Sequence, residues 1–223
     1  SISQVNEYII HDLEIFSNEF RENDIYWRLY REVLPGYYEG TLQLIFTEPY
    51  SDWRHKQYRQ RINVLVKDST IISYQIMALD SFGRYRTIIE GDTNKKLLEQ
   101  FTSDLLETYK TSLNPDFLFI DSINYGDHCD ENGSINPEYD KMIQLVATKN
   151  YKVLNEWLRC GNSELQLFAL RGFQLLNNQM LDEETQKIIR LVYQKRGNIN
   201  FAFNGRERHI QMDKLRRDYL KNE

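Results

Sequence analysis

The sequence predicts an α+β protein in which N-terminal helices and a small antiparallel sheet precede an all-α, repeat-like C-terminal subdomain. Three observations lead to this fold class. Apolar residues recur at helical spacing near the N-terminus, alternate with polar residues over 41–91, and return to helical spacing over 137–196. We therefore expect an α+β subdomain over 1–123, a connecting loop over 124–136 and a helical subdomain over 137–223.

The composition is typical of a folded, soluble protein. Of the 223 residues, 41% are hydrophobic and 27% are charged, with only 10 Gly and 4 Pro, so disorder does not fit. No apolar run approaches the roughly 20 residues that are needed to span a bilayer. The chain begins at Ser1 and shows no signal peptide, which leaves a cytoplasmic protein and one exported after removal of a leader as alternatives.

The N-terminal segment is predicted to be helical over 3–34. Four of its apolar residues recur at spacings of four, four and three: Val5, Ile9, Leu13 and Phe16. This spacing places them on one face of a helix. A second short helix is expected over 25–34, and the Pro-Gly pair that follows should end it.

Four strands are expected next. Alternating hydrophobicity predicts them over 41–47, 61–67, 71–79 and 85–91. The turn residues Asp68-Ser69 and Asp80-Ser81-Phe82-Gly83 separate the last three strands. Because connections of about two to four residues can only reverse the chain, these strands should form an antiparallel meander.

Helical spacing returns over 92–113 and again in the C-terminal half. Four helices are predicted there, over 137–149, 151–159, 163–177 and 183–196. Ser163 and Asp182 are the expected caps of the last two helices. The alternating segment 199–203 then predicts a short strand or a hooked segment that covers the end of the helices, and the charged segment 206–221 is expected to end as a helix.

Part of the helical stretch repeats. Segments 141–149 and 187–195 are identical at five of nine positions, at a constant offset of 46 residues. This period lies within the roughly 40–47 residues of HEAT and armadillo repeats, which the stretch 137–196 resembles. The resemblance implies a HEAT-like subdomain that presents an extended binding surface. The alternative is an ordinary helical subdomain whose helices look alike.

The segment 126–133 holds the densest cluster of chemically active side chains. Its catalytic candidates are Asp127, His128, Cys129 and Asp130. It fails as a calcium loop because His128 occupies the first position, where such a loop needs an acid. It also lacks the second pair of ligands that a zinc site requires. We therefore predict no metal and no cofactor, and a solvated connecting loop is the simplest interpretation.

A second cluster interleaves cations with aromatic residues over 53–61. Its binding candidates are Trp53, Arg54, Lys56, Tyr58 and Arg59. Such a segment suits stacking and phosphate pairing on single-stranded nucleic acid, or contact with an acidic protein. The net charge of −5 favours an acidic protein partner over nucleic acid. A solvated loop or helix is the structural alternative.

The sequence favours a non-catalytic protein-interaction or structural module, because it lacks the G-x-S-x-G, H-E-x-x-H, P-loop and G-x-G-x-x-G motifs. A hydrolase or transferase with a site near 121–130, which could also use Asp121, is the first alternative. Weak nucleic-acid binding through 53–61 is the second. Cys129 and Cys160 could form one disulfide, and the sequence leaves this open.

Overall fold

The computed structural model describes residues 22–51, 54–68, 70–111, 118–119, 123–128, 134–177, 181–203 and 206–218. These residues divide into two units. The first contains the described residues of 22–30 and 36–100, and the second contains those of 31–35 and 101–218. The part of the predicted N-terminal helix that precedes residue 22 lies outside the described residues.

A five-stranded sheet dominates the first unit. Its strands are β1 (Glu22–Leu34), β2 (Tyr37–Ser51), β3 (Arg54–Lys67), β4 (Thr70–Leu79) and β5 (Tyr85–Asp92), and they lie side by side in chain order. The pairs β2–β3, β3–β4 and β4–β5 are antiparallel. The predicted antiparallel meander is therefore confirmed, and β1 extends it by one strand.

The prediction of a helix over 25–34 is wrong, because this segment belongs to β1. Leu29, Arg31 and Val33 are buried, and the residues between them are more exposed. A period of two is that of a strand and not of a helix. The Pro-Gly pair makes the turn into β2 instead of ending a helix, and Gly36 has the positive φ of +81° that such a turn requires.

One face of the sheet forms an apolar core. Its buried members are Leu42, Leu44, Ile62, Val64, Val66, Ile71 and Ile76. Leu42 lies opposite Ile62, and Ile62 lies opposite Ile76, so the same face continues across three strands. Cross-strand pairs of branched apolar side chains are a main source of sheet stability.

The other face of the sheet carries hydrogen-bonded polar side chains. The Thr41 hydroxyl donates to Asn63 Oδ1 at 2.8 Å, and Asn63 Nδ2 donates to Gln75 Oε1 at 3.1 Å. The Tyr85 hydroxyl donates to Gln43 Oε1 at 3.2 Å. Because buried polar groups need partners, this network allows Thr41, Gln43 and Asn63 to be buried.

Helices and a β-hairpin follow the sheet. The elements are α1 (Lys95–Tyr109), α2 (Pro137–Ala147), α3 (Tyr151–Leu158), α4 (Ser163–Leu175), α5 (Glu183–Gln194), β6 (Asn198–Phe203), β7 (Arg206–Gln211) and α6 (Met212–Asp218). The four helices predicted over 137–196 are confirmed. The prediction of an all-α, HEAT-like C-terminal subdomain is wrong, because the antiparallel pair β6–β7 belongs to the same unit. The protein is α+β, with strands in both units.

Asn and Asp side chains begin the helices of the second unit. Asn136, Asn150, Asn162 and Asp182 each accept a hydrogen bond from a backbone N–H of the first turn. Such caps satisfy N–H groups that have no partner inside the helix. The predicted cap Asp182 is confirmed, whereas the predicted cap Ser163 lies one residue inside its helix.

Helix α4 is enclosed on almost every side. Nine of its 13 residues are buried, which is typical of a central helix. Gly172 contributes to this arrangement, since a Cβ at that position would lie 2.8 Å from Leu154 Cδ2 on α3. The missing side chain lets the two helices approach closely.

A buried ion pair joins α4 to segment 31–35. Both carboxylate oxygens of Glu164 accept from Arg31 Nη1, and both side chains are fully enclosed. Glu164 Oε1 also accepts from the Asn200 N–H of β6 at 3.0 Å. Burial raises the pKa of the Glu164 carboxyl, and the positive charge of Arg31 opposes that rise. One carboxylate therefore links three segments of the chain.

We expect the loss of one partner of this pair to destabilise the protein more than the loss of both. Glu164→Leu leaves the Arg31 guanidinium buried without its carboxylate, so the free energy of unfolding should fall by about 3–5 kcal/mol. The double variant Arg31→Met/Glu164→Leu leaves no buried charge and should lose less than Glu164→Leu alone. Urea denaturation followed by circular dichroism measures all three values.

The ion pair between Arg159 and Glu184 is the control, with the two charged groups 2.8 Å apart and the Glu184 side chain half exposed to solvent. Glu184→Leu should lower the free energy of unfolding by less than about 1 kcal/mol, because solvent screens this pair. If the double variant lost as much stability as Glu164→Leu or more, the buried pair would not be coupled as described.

Candidate functional site

Residues 54–61 of the basic segment belong to a strand. β3 begins at Arg54 and pairs with β2 along its length, so the prediction of a loop or helix here is wrong. Arg59 is exposed. Outside the described residues lie Trp53 and the side chains of Arg54, Lys56 and Tyr58.

Two of the predicted catalytic candidates lie on an exposed stretch of the second unit. Asp127 Oδ1 is 3.1 Å from His128 Nδ1, and both side chains are about half exposed to solvent. Cys129, Asp130 and Asp121 lie outside the described residues. No group of three or more His, Cys, Asp or Glu side chains within the described part of the chain is arranged to hold a metal ion.

A cavity of about 120 Å³ lies beside Asp127. Loop 123–128, the helices α2 and α4, and strand β6 contribute its lining, which consists of Tyr125, Gly126, Asp127, Tyr139, Phe168, Arg171 and Phe201. An engineered protein cavity of about 150 Å³ is known to accept benzene. The space therefore suits a ligand or side chain of only a few heavy atoms.

Three aromatic rings form the apolar part of this lining. The ring centroid of Tyr125 is 4.8 Å from that of Phe168 and 6.3 Å from that of Phe201, both in tilted arrangements. Tilted ring pairs at these separations are favourable. Burial raises the pKa of the Tyr125 hydroxyl, although the charge and the hydrogen bond of Arg171 oppose the rise. The hydroxyl is therefore neutral at physiological pH.

The loop that carries Tyr125 is fixed from two sides. The Ala202 N–H of β6 donates to the Tyr125 carbonyl at 2.9 Å, and the Asn136 N–H, at the start of α2, donates to the Asp127 carbonyl at 2.9 Å. Gly126 has a φ of +141°, and a Cβ there would lie 2.3 Å from the Ala202 carbonyl oxygen. Only glycine fits this close approach, so the cavity wall is preorganised.

The turn between β4 and β5 holds a different kind of exposed feature. Asp80 Oδ1 accepts from the N–H groups of Phe82 and Arg84, each at 2.9 Å, and Oδ2 accepts from Arg86 Nε at 2.8 Å. The Arg84 N–H is the largest of the contacts that lower the pKa of the Asp80 carboxyl. The turn presents Phe82 with 77% of its surface exposed, and Arg84 Cζ lies 5.2 Å from the ring centroid.

The sequence predicts the turn between β4 and β5, but it predicts neither the exposed surface on that turn nor the cavity. A sequence signal for the surface on the turn was available, because an aromatic residue follows a turn-forming Asp and is itself followed by two Arg residues. The cavity had no comparable signal, since it is assembled from segments that are far apart in the chain. Of its lining, only Asp127 was named as a candidate.

A comparison with known proteins finds no matching family model, and no significant match among curated proteins or solved structures. None of the described helices has the length and hydrophobicity that crossing a membrane demands. Function must therefore be inferred from the surfaces themselves.

Gly126→Ala should disrupt the wall of the cavity, because the new Cβ would collide with the Ala202 carbonyl oxygen. We expect the free energy of unfolding to fall by about 1–3 kcal/mol from backbone strain together with displacement of the loop. Gly83→Ala is the control for strain alone, since Gly83 also has a positive φ but no atom within 4 Å of an added Cβ. An equal loss in both variants, measured by urea denaturation, would show that the Ala202 contact contributes nothing.

Cys160 carries a free thiol, whereas Cys129 lies outside the described residues. Burial raises the pKa of the Cys160 thiol to about 11 from a usual value of 9.0. Because the thiolate is the reactive form, the folded protein should react about 100-fold more slowly than the unfolded chain near pH 8. Iodoacetamide labelling of a Cys129→Ser variant, read by mass spectrometry with and without urea, measures both rates. Equal rates would contradict the prediction.

Proposed function

We propose that the chain is a non-catalytic protein-interaction module that binds its partner through the tip of the β4–β5 hairpin. The hairpin tip comprises Leu79, Phe82, Arg84, Arg86 and Ile88. The observation that carries the proposal is the exposure of Phe82 on a turn that is fixed by Asp80. Aromatic and Arg side chains are the residues most often found as anchors at the centres of protein interfaces.

The rigidity of the turn supports a binding role. Three hydrogen bonds to the Asp80 carboxylate fix the backbone and one Arg side chain before any partner arrives. Association costs less conformational entropy when the contact residues are already ordered. Leu79, the last residue of β4, and Ile88, within β5, are also partly exposed, so the hairpin presents apolar surface in addition to the Phe82 ring.

The charge of the hairpin tip favours an acidic partner. The side chains of Arg84 and Arg86 are 64% and 65% exposed, whereas Asp80 is 16% exposed and already engaged by its own turn. The surface that a partner meets is therefore positive, although the whole chain has a net charge of −5. Complementary charge determines the orientation and the rate of such encounters.

Strand β5 offers additional contacts. Within the described sheet it is paired on one side only, with β4. An edge strand presents unpaired N–H and C=O groups that an extended peptide can bind by adding a strand. A partner segment that contacts Phe82 could therefore continue along β5.

The two alternative functions stay predictions. For a hydrolase or transferase near 121–130, the described residues supply only Asp127 and His128 from the candidates. For nucleic-acid binding through 53–61, they supply only the exposed Arg59. The hairpin tip has the stronger geometric support because its side chains and the hydrogen bonds that hold them are all described.

Selection of a random displayed peptide library against the immobilised chain tests the proposal. We expect enriched peptides to combine acidic residues with an apolar anchor, and to bind less tightly at about 200 mM than at about 50 mM salt because screening weakens charge pairing. Phe82→Ala should weaken their affinity about tenfold or more, as expected for an anchor residue.

Ile135→Ala is the matched control, since Ile135 is also a large exposed apolar residue but lies outside the first unit. Its affinity for the selected peptides should equal that of the unmodified chain. The proposal fails if the enriched peptides bind Phe82→Ala as tightly as they bind the unmodified chain, or if no peptide is enriched.

A further inference from the structure

The cavity in the second unit has the features of a small-molecule site that is separate from the hairpin tip. We propose that it binds a free α-amino acid with a small side chain, as the zwitterion. Three properties of the lining lead to this ligand class: a cation, an anion and aromatic rings around a small volume. Each of them selects one part of the ligand.

Arg171 provides the contact for the ligand carboxylate. It lines the cavity from α4, and its Nε is enclosed without a hydrogen-bond acceptor among the described residues. Arg171 shares this lining with the rings of Tyr125 and Phe168. A buried donor without an acceptor is costly, and a planar carboxylate matches the guanidinium fork. Nε itself is closed off from the cavity, so a carboxylate bound there would pair with the part of the guanidinium that lines the cavity.

Asp127 provides the contact for the ligand ammonium. Its side chain lines the same cavity and is also partly exposed, so that a ligand entering from solvent can reach it. His128 contacts one of its two carboxylate oxygens. The rings of Tyr125 and Tyr139, which also line the cavity, favour a nearby cation. One wall therefore attracts positive charge while Arg171 attracts negative charge.

The volume limits the size of the ligand. A space of about 120 Å³ is smaller than the cavity of about 150 Å³ that accepts benzene. Glycine and alanine contain no more non-hydrogen atoms than benzene and are of suitable size, whereas valine and the aromatic amino acids are too large. A peptide terminus carries only one of the two charges, so it satisfies one end of the cavity and leaves the other charge without a counterpart.

Isothermal titration calorimetry of the full chain with alanine, propionate and alaninamide near pH 7 tests whether both charges of the zwitterion are needed for binding. Propionate lacks the ammonium, and alaninamide lacks the carboxylate. We expect saturable binding of alanine, and affinities at least about tenfold lower for each of the other two compounds, because each loses one charge contact. Glycine, serine and valine, titrated in parallel, identify the preferred side chain.

Two variants test the carboxylate contact and the ammonium contact of the ligand separately. Arg171→Gln should weaken alanine binding about tenfold or more, with Arg190→Gln, on the exposed surface of α5, as the matched control. Asp127→Asn should also weaken alanine binding but should leave the affinity for propionate unchanged or higher, because only the ammonium contact is lost. Asp140→Asn, on the exposed surface of α2, is its control.

Asp127→Asn keeps the experiment decisive if Arg171→Gln fails to fold, because Asp127 is partly exposed and its side chain is not part of the core. Circular dichroism of each variant checks the fold. The proposal is wrong if neither glycine nor alanine binds saturably to the unmodified chain. Equal affinities of propionate and alanine would also overturn it, since they would show that the site recognises only an anion.

Discussion

The ion pair between Arg31 and Glu164 is the interaction on which the second unit depends. A carboxylate enclosed in a protein interior is tolerated only when charge and hydrogen bonds compensate for the lost water. Here Arg31 supplies the charge, and the Asn200 N–H supplies a further bond. Gln166, half a turn further along the same helix, accepts a hydrogen bond from Lys195 Nζ at 2.7 Å. The interior of this unit is therefore ordered by directional polar contacts as well as by apolar packing.

This network also determines where the cavity lies. Asn200 is bound to Glu164, and the next residue of β6, Phe201, forms part of the cavity wall. On the same central helix, Phe168 and Arg171 follow Glu164 by one and two turns and contribute the floor and the cation. The positions of these groups are therefore fixed by contacts that no ligand touches. Supporting contacts of this kind are what hold a binding site in a defined geometry.

The sequence predicted the features that depend on neighbours in the chain. The meander from β2 to β5 follows from alternation and short turns, and the four helices from 137 to 196 follow from periodicity and polar caps. β1 was mistaken for a helix because its many aromatic residues obscure the alternation. The charged segment after residue 205 does end as a helix, α6, but the sequence does not indicate β7 (Arg206–Gln211), because charged residues on a short strand carry no apolar pattern. The cavity was beyond prediction, since Tyr125 meets Phe201 only after folding.

The bridge between Tyr125 and β6 has a consequence for biosynthesis. Residue 201 follows residue 125 by 76 positions, so at about 5–20 residues per second a ribosome adds it roughly 4–15 s later. Throughout that interval the loop with Gly126 lacks its contact with the Ala202 carbonyl, and Tyr125 lacks one of its aromatic neighbours. The cavity is thus a late product of translation, and an incomplete nascent chain that stops before β6 cannot acquire it.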